Sequence, residues 1–275
     1  HLVRLMSKRA LLYTEMVPAN ALAHERQQHL EEYISENPTI HESEARYLYD
    51  DSYMQRFLVQ SSLLSEGPSV LQLGGSDPDQ CFQAAQSAYD MSRRDDRACD
   101  YTAINLNCGC PSPKVAGKGC FGAALMEDPD LVASLTHAIH EGYNGEMPVS
   151  VKCRIGTDSK QAFDKLVPRD EEQEYQELCR FIETVAKDGI VIDFSVHARI
   201  AVLSKSFSPA DNRKIPPLNY KIVRRLVQDF PDLKFTLNGG VDSLSGVQKE
   251  LNECPGLAGV MIGRGFAAEP WSFAM

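Results

Sequence analysis

Apolar positions along this chain fall into two alternating patterns. Short runs without helical spacing, rich in β-branched and aromatic residues, predict strands at Leu11 to Met16, Ser69 to Leu73, Tyr101 to Asn107, Val149 to Ile155, Ile190 to His197, Lys234 to Gly240 and Gly259 to Arg264. Between them lie longer stretches with apolar residues on one face. These predict helices over Ala21–Ser35, Pro78 to about Arg94, Pro129 to about Glu141, Glu171–Lys187, Tyr220–Phe230 and Ser243–Glu253, after a helix tail at His1–Arg9. The starts are signalled: Asn20 and Asp77 are candidate N-caps, and Asp77-Pro78 and Asp128-Pro129 place a proline at the first helical position. One region breaks the rhythm. Residues 39 to 67 are acidic, carry Tyr47, Tyr49 and Tyr53, and read as an insertion (41–66), a solvated excursion over a helix-like Met54–Leu64.

Strict strand–helix alternation predicts a parallel sheet with right-handed crossovers. The seven strands fall one short of a (β/α)8 barrel, and the chain opens inside a helix with no strand before it. An open doubly wound sheet is the rival, but no Gly-rich fingerprint follows the earliest strand, while Gly-containing turns follow the last two. The expected fold class is therefore an α/β TIM (β/α)8 barrel whose first strand lies outside the sequence, forming one domain over residues 1–275.

Composition narrows the partners. At 275 residues and 43% hydrophobic, the chain can bury a full core. No apolar run approaches the ~20 residues of a bilayer span, so no membrane partner is expected. Eight cysteines are scattered rather than framed, which fits reduced thiols in a reducing, cytoplasmic setting. Cys108-x-Cys110 has no second pair at zinc-ribbon spacing, so no metal is expected. The net charge of −10 argues against attraction of nucleic acid by the whole surface, but a local basic patch acts within about 8–10 Å and is not excluded.

Chemistry is expected at the C-terminal ends of the strands, where such barrels act. Gln72, Asn107, Cys110, Lys152, Arg154, His197, Asn238, Gly239, Gly240, Gly263 and Arg264 all stand there. Gly109 and Pro111 end the third strand and deliver Cys110 to a loop, either as a reactive thiol or as a plain buried one. Gly239, Gly240 and Gly263 would let backbone N–H groups close on a phosphate with Arg264 beside them; tight turns alone are the alternative. Lys152 leaves an apolar strand and needs an anion. Gln72 offers a donor and an acceptor side by side, matching the edge of a pyrimidine-dione ring. His197 could equally be a satisfied core histidine.

Asn105-Leu-Asn-Cys-Gly-Cys-Pro-Ser-Pro-Lys-Val115 with Phe121-Gly-Ala-Ala-Leu-Met126 resembles the signature of the tRNA-dihydrouridine synthases. Tyr13-Thr-Glu-Met16, Leu71-Gln-Leu-Gly-Gly-Ser-Asp-Pro78, His197-Ala-Arg199, Ile215-Pro-Pro-Leu218, Asn238-Gly-Gly240 and Ile262-Gly-Arg264 resemble its A-type branch. The resemblance implies an FMN-binding barrel followed by a small helical domain that lies beyond Met275. It implies reduction of a D-loop uridine of tRNA at position 20 or 20a, with NADPH as electron source, by a monomer. Cys110 then resembles the proton donor to C5 of the uracil, across from the hydride that flavin gives to C6. Gln72, Lys152, His197, Asn238, Gly239, Gly240, Gly263 and Arg264 resemble the FMN contacts, and Asn107 and Arg213 the RNA contacts. Arg154, Arg199, Lys205 and Arg213 would hold phosphates, unless they are ordinary solvated charges. Two departures stand out: Ala210 replaces a usual Lys, with Lys205 and Lys214 nearby, and the Pro-Met pair of the family's first strand is missing. Two other classes remain open here, a flavoenzyme acting on a free pyrimidine and an RNA-binding protein without flavin; substrate assays and a flavin spectrum separate them.

Overall fold

A computed structural model of the chain describes residues 2–48, 52–58, 67–93, 100–112, 121–159, 170–204 and 206–273. They fall into two compact units, residues 1–105 with 137–148, and residues 106–136 with 149–275.

In the first unit, helix α1 (Leu2–Met6) precedes two short strands, β1 (Leu12–Tyr13) and β2 (Val17–Pro18). Both pair in parallel with β3 (Ser69–Gly74), of which every residue is buried. The strand expected over Leu11–Met16 is thus broken in two. Thr14 stands at the break, and its hydroxyl accepts the Gln72 N–H at 3.0 Å. Helix α2 (Ala19–Glu36) starts earlier than expected, leaving Asn20 inside it. Pro18 holds the cap position at φ −68° with no side-chain cap, because its ring already fixes a φ compatible with a helix start.

Where it is described, the acidic stretch is more than a solvated excursion. It forms α3 (Glu42–Ala45) and α4 (Ser52–Leu58), which pack on α2; α4 also touches α5 (Pro78–Ser92). Ala45, Met54 and Leu58 are completely buried. Arg46 reaches the buried Asp90 of α5 at 3.7 Å, where Arg26 of α2 also pairs at 3.1 Å. The Tyr101 hydroxyl donates to the Leu58 carbonyl at 3.0 Å. Glu42 and Glu44 face solvent while a few apolar residues face inward, so averaged charge conceals the buried stripe. The end of the expected helix, residues 59–64, lies outside the described residues. Asp77 caps α5 as expected, its Oδ1 accepting the Gln80 N–H at 3.1 Å.

Strand β4 (Ala103–Cys108) begins in the first unit and ends in the second. The second unit continues with β5 (Val149–Arg154), β6 (Thr157–Ser159), β7 (Val191–His197), β8 (Ala201–Leu203), β9 (Lys234–Asn238) and β10 (Gly259–Met261). The order is β4–β5–β7–β9–β10, and the pairs β5–β7, β7–β9 and β9–β10 are parallel. Helices over Pro129–Gly142, Glu171–Ala186, Tyr220–Asp229 and Leu244–Glu253 fill the connections, as the apolar spacing predicts. Phe194 and Phe235, both fully buried, stack across β7 and β9 with ring centroids 6.0 Å apart. Strand–helix alternation and parallel pairing are those of a TIM-barrel-like α/β fold.

One feature was not foreseen. Within the loop expected over Ala198–Pro217, β8 pairs in parallel with β6, a small second sheet. Asn212, with no exposure, holds it: its Oδ1 accepts the Val202 N–H at 2.8 Å and its amide donates to the Val202 carbonyl at 3.0 Å.

Candidate active site

Strand register sets the site's floor. Arg154 of β5 stands opposite His197 of β7, His197 opposite Asn238 of β9, and Asn238 opposite Met261 of β10. Four neighbouring strands therefore end at one level. Asn238 closes that level by donating its side-chain amide to the Met261 carbonyl at 2.9 Å.

Cys110 follows the end of β4 in a turn held from both sides. Asn107 Oδ1 accepts the N–H groups of Gly109 and of Cys110, each at 3.0 Å. The Cys110 carbonyl accepts the Ala123 N–H at 2.9 Å. The thiol itself is half-buried, whereas Cys108 and Cys153 are buried. Burial pushes the Cys153 thiol up to about 12, which leaves it inert at neutral pH.

Arg154 departs from expectation. It was read as a phosphate-holding cation, but it is 3% exposed and its guanidinium is taken up by backbone carbonyls. Nε donates to Gly109 at 3.0 Å, and Nη1 donates to Ile200 at 2.9 Å and to Asn212 at 3.1 Å. Several turns crowd carbonyls around the end of β5, and a planar fork can satisfy them together. A guanidinium so placed braces the turns.

Lys152, one pleat before Arg154, has no hydrogen bond or ion pair among the described residues. Burial, then the charge of Arg154, lowers its pKa to about 8, with Cys153 and Cys110 acting in the opposite sense. His197 is 8% exposed, and burial followed by Arg154, Lys152, Arg199 and Arg264 holds its pKa far below 6.5. Its imidazole is neutral. All four charges acting on it are cationic.

The glycines are not equivalent. Gly239 and Gly240 have φ +108° and +78°. A Cβ on Gly239 would meet the His197 ring at 2.4 Å, and one on Gly240 would meet Leu218 at 2.5 Å. The Tyr220 hydroxyl donates to the Gly239 carbonyl at 2.5 Å. These two glycines are required by their own neighbours, whatever their backbone N–H groups also hold. Gly263 is exposed, and a Cβ there would meet only open space, so its backbone is accessible.

Arg264 and Arg213 are both exposed, and the Arg264 guanidinium donates to the Arg213 carbonyl at 3.4 Å. Arg199 donates to the Pro216 carbonyl. Lys205 and residues 113–120 lie outside the described residues. Gln72, in the first unit, is 8% exposed and donates its amide to Asn105 Oδ1 at 2.9 Å. The sequence reading gives Asn212 and Tyr220 no role at the site. Nothing in a polar loop or a helix start marks such residues; only their partners do. Among the described residues no group of three potential ligands could hold a metal ion, and no helix is long and apolar enough to cross a membrane.

Comparison with known proteins bears on this arrangement. The chain is 38% identical over 261 residues to a tRNA-dihydrouridine(20/20a) synthase of Pasteurella multocida, covering 95% of this chain and 62% of that one. A protein of the same name from Shewanella oneidensis is 36% identical over 274 residues, 100% of this chain and 64% of the relative. One from Escherichia coli K12 is 37% identical over 264 residues, 96% and 60% respectively. The chain thus spans roughly three fifths of the length of these relatives. The family model described as dihydrouridine synthase matches residues 1–275, and the chain belongs to the dihydrouridine synthase family.

Proposed function

We propose that this chain is the catalytic part of an enzyme that reduces a uridine of tRNA to 5,6-dihydrouridine, with FMN bound and NADPH as the electron source. The observation that carries this reading is a half-buried thiol, Cys110, fixed at the end of β4 in a chain of this family. The relatives' names point to uridines 20 and 20a.

The residues present fit an anionic, phosphorylated cofactor. Lys152 has no partner among the described residues, His197 is neutral amid four cations, and the backbone at Gly263 is open. Lys152, His197, Asn238, Gly239, Gly240, Gly263 and Arg264 would hold it. When bound, flavin supplies the hydride that C6 of the uracil requires. Cys110 gives its thiol proton to C5 and regains one from water, so its work is that of an acid and not of a nucleophile. Lys152 offers the positive charge that favours the anionic reduced ring. Exposed Arg213 would hold an RNA phosphate, which positions the substrate without reading its sequence. A stacked uridine must be turned out to be reached, at about a few kcal/mol.

In the full-length protein, Cys110→Ala is expected to keep the flavin absorbance and tRNA binding while losing most dihydrouridine formation, counted by mass spectrometry of tRNA nucleosides. Turnover at the wild-type level would remove Cys110 from the role.

A further inference from the structure

We propose that Asn107 is a positioning residue for Cys110, setting the direction of its main chain rather than only meeting RNA. The proposal rests on Cys110 being the proton donor. Its geometry, however, stands on its own.

Asn107 Oδ1 lies 3.0 Å from both the Gly109 and the Cys110 nitrogen. A side-chain oxygen accepting from the residues two and three positions on is an Asx-type turn, which a short carbonyl-bearing side chain makes and an aliphatic one cannot. In β4, Leu106 and Cys108 are buried and Asn107 is partly exposed, so the alternation of the strand sets the amide on the face away from those two. From there it bends the chain out of the strand just where Cys110 is needed.

The remaining groups of the turn are fixed as well. The Cys110 carbonyl accepts from Ala123, and the Gly109 carbonyl from Arg154, itself buried. With both neighbouring peptide groups held, the sulfur is left with rotation about χ1 among three staggered positions. A proton donor works only within about 3 Å of the receiving atom, and a displacement of roughly 1 Å can cost about a hundredfold in rate. Loss of the forked acceptor would free the N–H side of the turn and let the thiol wander.

The test uses the full-length, flavin-bound protein and separates the acceptor from the amide donors. Asn107→Asp keeps the oxygen and loses the NH2; Asn107→Ala loses both. Two quantities are read: kcat and KM for unmodified tRNA, and the limiting rate of Cys110 alkylation by iodoacetamide without tRNA, followed by peptide mass spectrometry. The alkylation limit is the pH-independent plateau of the Cys110 rate, at which any effect of the Asp charge on ionisation drops out. In Asn107→Ala, kcat is expected to fall about tenfold or more with KM within about twofold, and the alkylation limit to shift severalfold. Asn107→Asp is expected to bring both back to within about threefold of wild type. If Asn107→Ala does not fold, Asn107→Ser, whose hydroxyl is a weaker acceptor, takes its place and should fall in between.

Unchanged alkylation in every variant would overturn the proposal. So would an Asp variant as poor as the Ala variant and with a raised KM, which would make Asn107 an RNA contact through its NH2. Failure of the underlying reading appears elsewhere, as full turnover in Cys110→Ala, and leaves the alkylation result standing.

Discussion

The charge on Lys152 is set by where the side chain ends. Burial disfavours the ammonium, and the nearby Arg154 adds to that, so the group titrates at about 8 in the free site. An anion bound against it favours the protonated form and raises that value. Affinity for a phosphorylated flavin should therefore be full below about pH 8 and decline above it, by at most about tenfold per pH unit. Fluorescence titration of flavin between about pH 6 and 10 measures this, and Lys152→Met should abolish the dependence; a flat profile for the wild type would exclude Lys152 from the anion site. His197 behaves differently. Held neutral by burial and four cations, it can give or accept a hydrogen bond but brings no charge to a ligand at neutral pH.

At the scale of elements, the segment around α3 and α4 is bound to its neighbours through Asp90. That carboxylate has no exposure and sits between Arg26 and Arg46. Removing the buried partner, Arg26→Met, is expected to cost about 3 kcal/mol, because it leaves a buried charge poorly compensated. Arg46 is 30% exposed and farther away, so Arg46→Ala should cost about 1 kcal/mol or less. Denaturant unfolding at fixed pH gives both values, and an Arg26→Met variant as stable as wild type would show that Asp90 anchors nothing. The sequence displayed several of these elements openly. Asp77-Pro78 and Asp128-Pro129 carry their own start signals, and the strands are short apolar runs bounded by glycine and proline. β6 and β8 were not legible because three-residue strands exist only through their partners and the buried Asn212 amide. α3, and the burial of both α3 and α4, were hidden for another reason: three inward residues decide that burial, while the many charges dominate any average. The site was half legible. Strand ends bring Arg154, His197 and Asn238 to one level, as their sequence positions imply, but the charge of Arg154 says nothing of the carbonyls waiting for it.

For the molecule as a whole, a net charge of −10 has to be reconciled with the polyanionic substrate proposed above. Arg213 and Lys214 are exposed cations beside the strand ends, and Ala210 adds nothing to them. Neutralising a phosphate releases counterions and steepens the salt dependence of binding by about 0.7–0.9 in log–log slope per contact. Two such contacts predict a slope no steeper than about −2 for residues 1–275 with tRNA. Filter binding across salt concentrations checks it, and a variant with Arg213→Ala and Lys214→Ala should be nearly flat. A wild-type slope near zero would remove these cations from the RNA interface.

The guanidinium of Arg154 reaches carbonyls 45, 46 and 58 positions distant in the chain. Anyone grafting the cysteine loop onto another scaffold would find the excised peptide insufficient. The graft would have to include an arginine from a separate strand, and two further turns for that arginine to grip, or the thiol would arrive without its mooring.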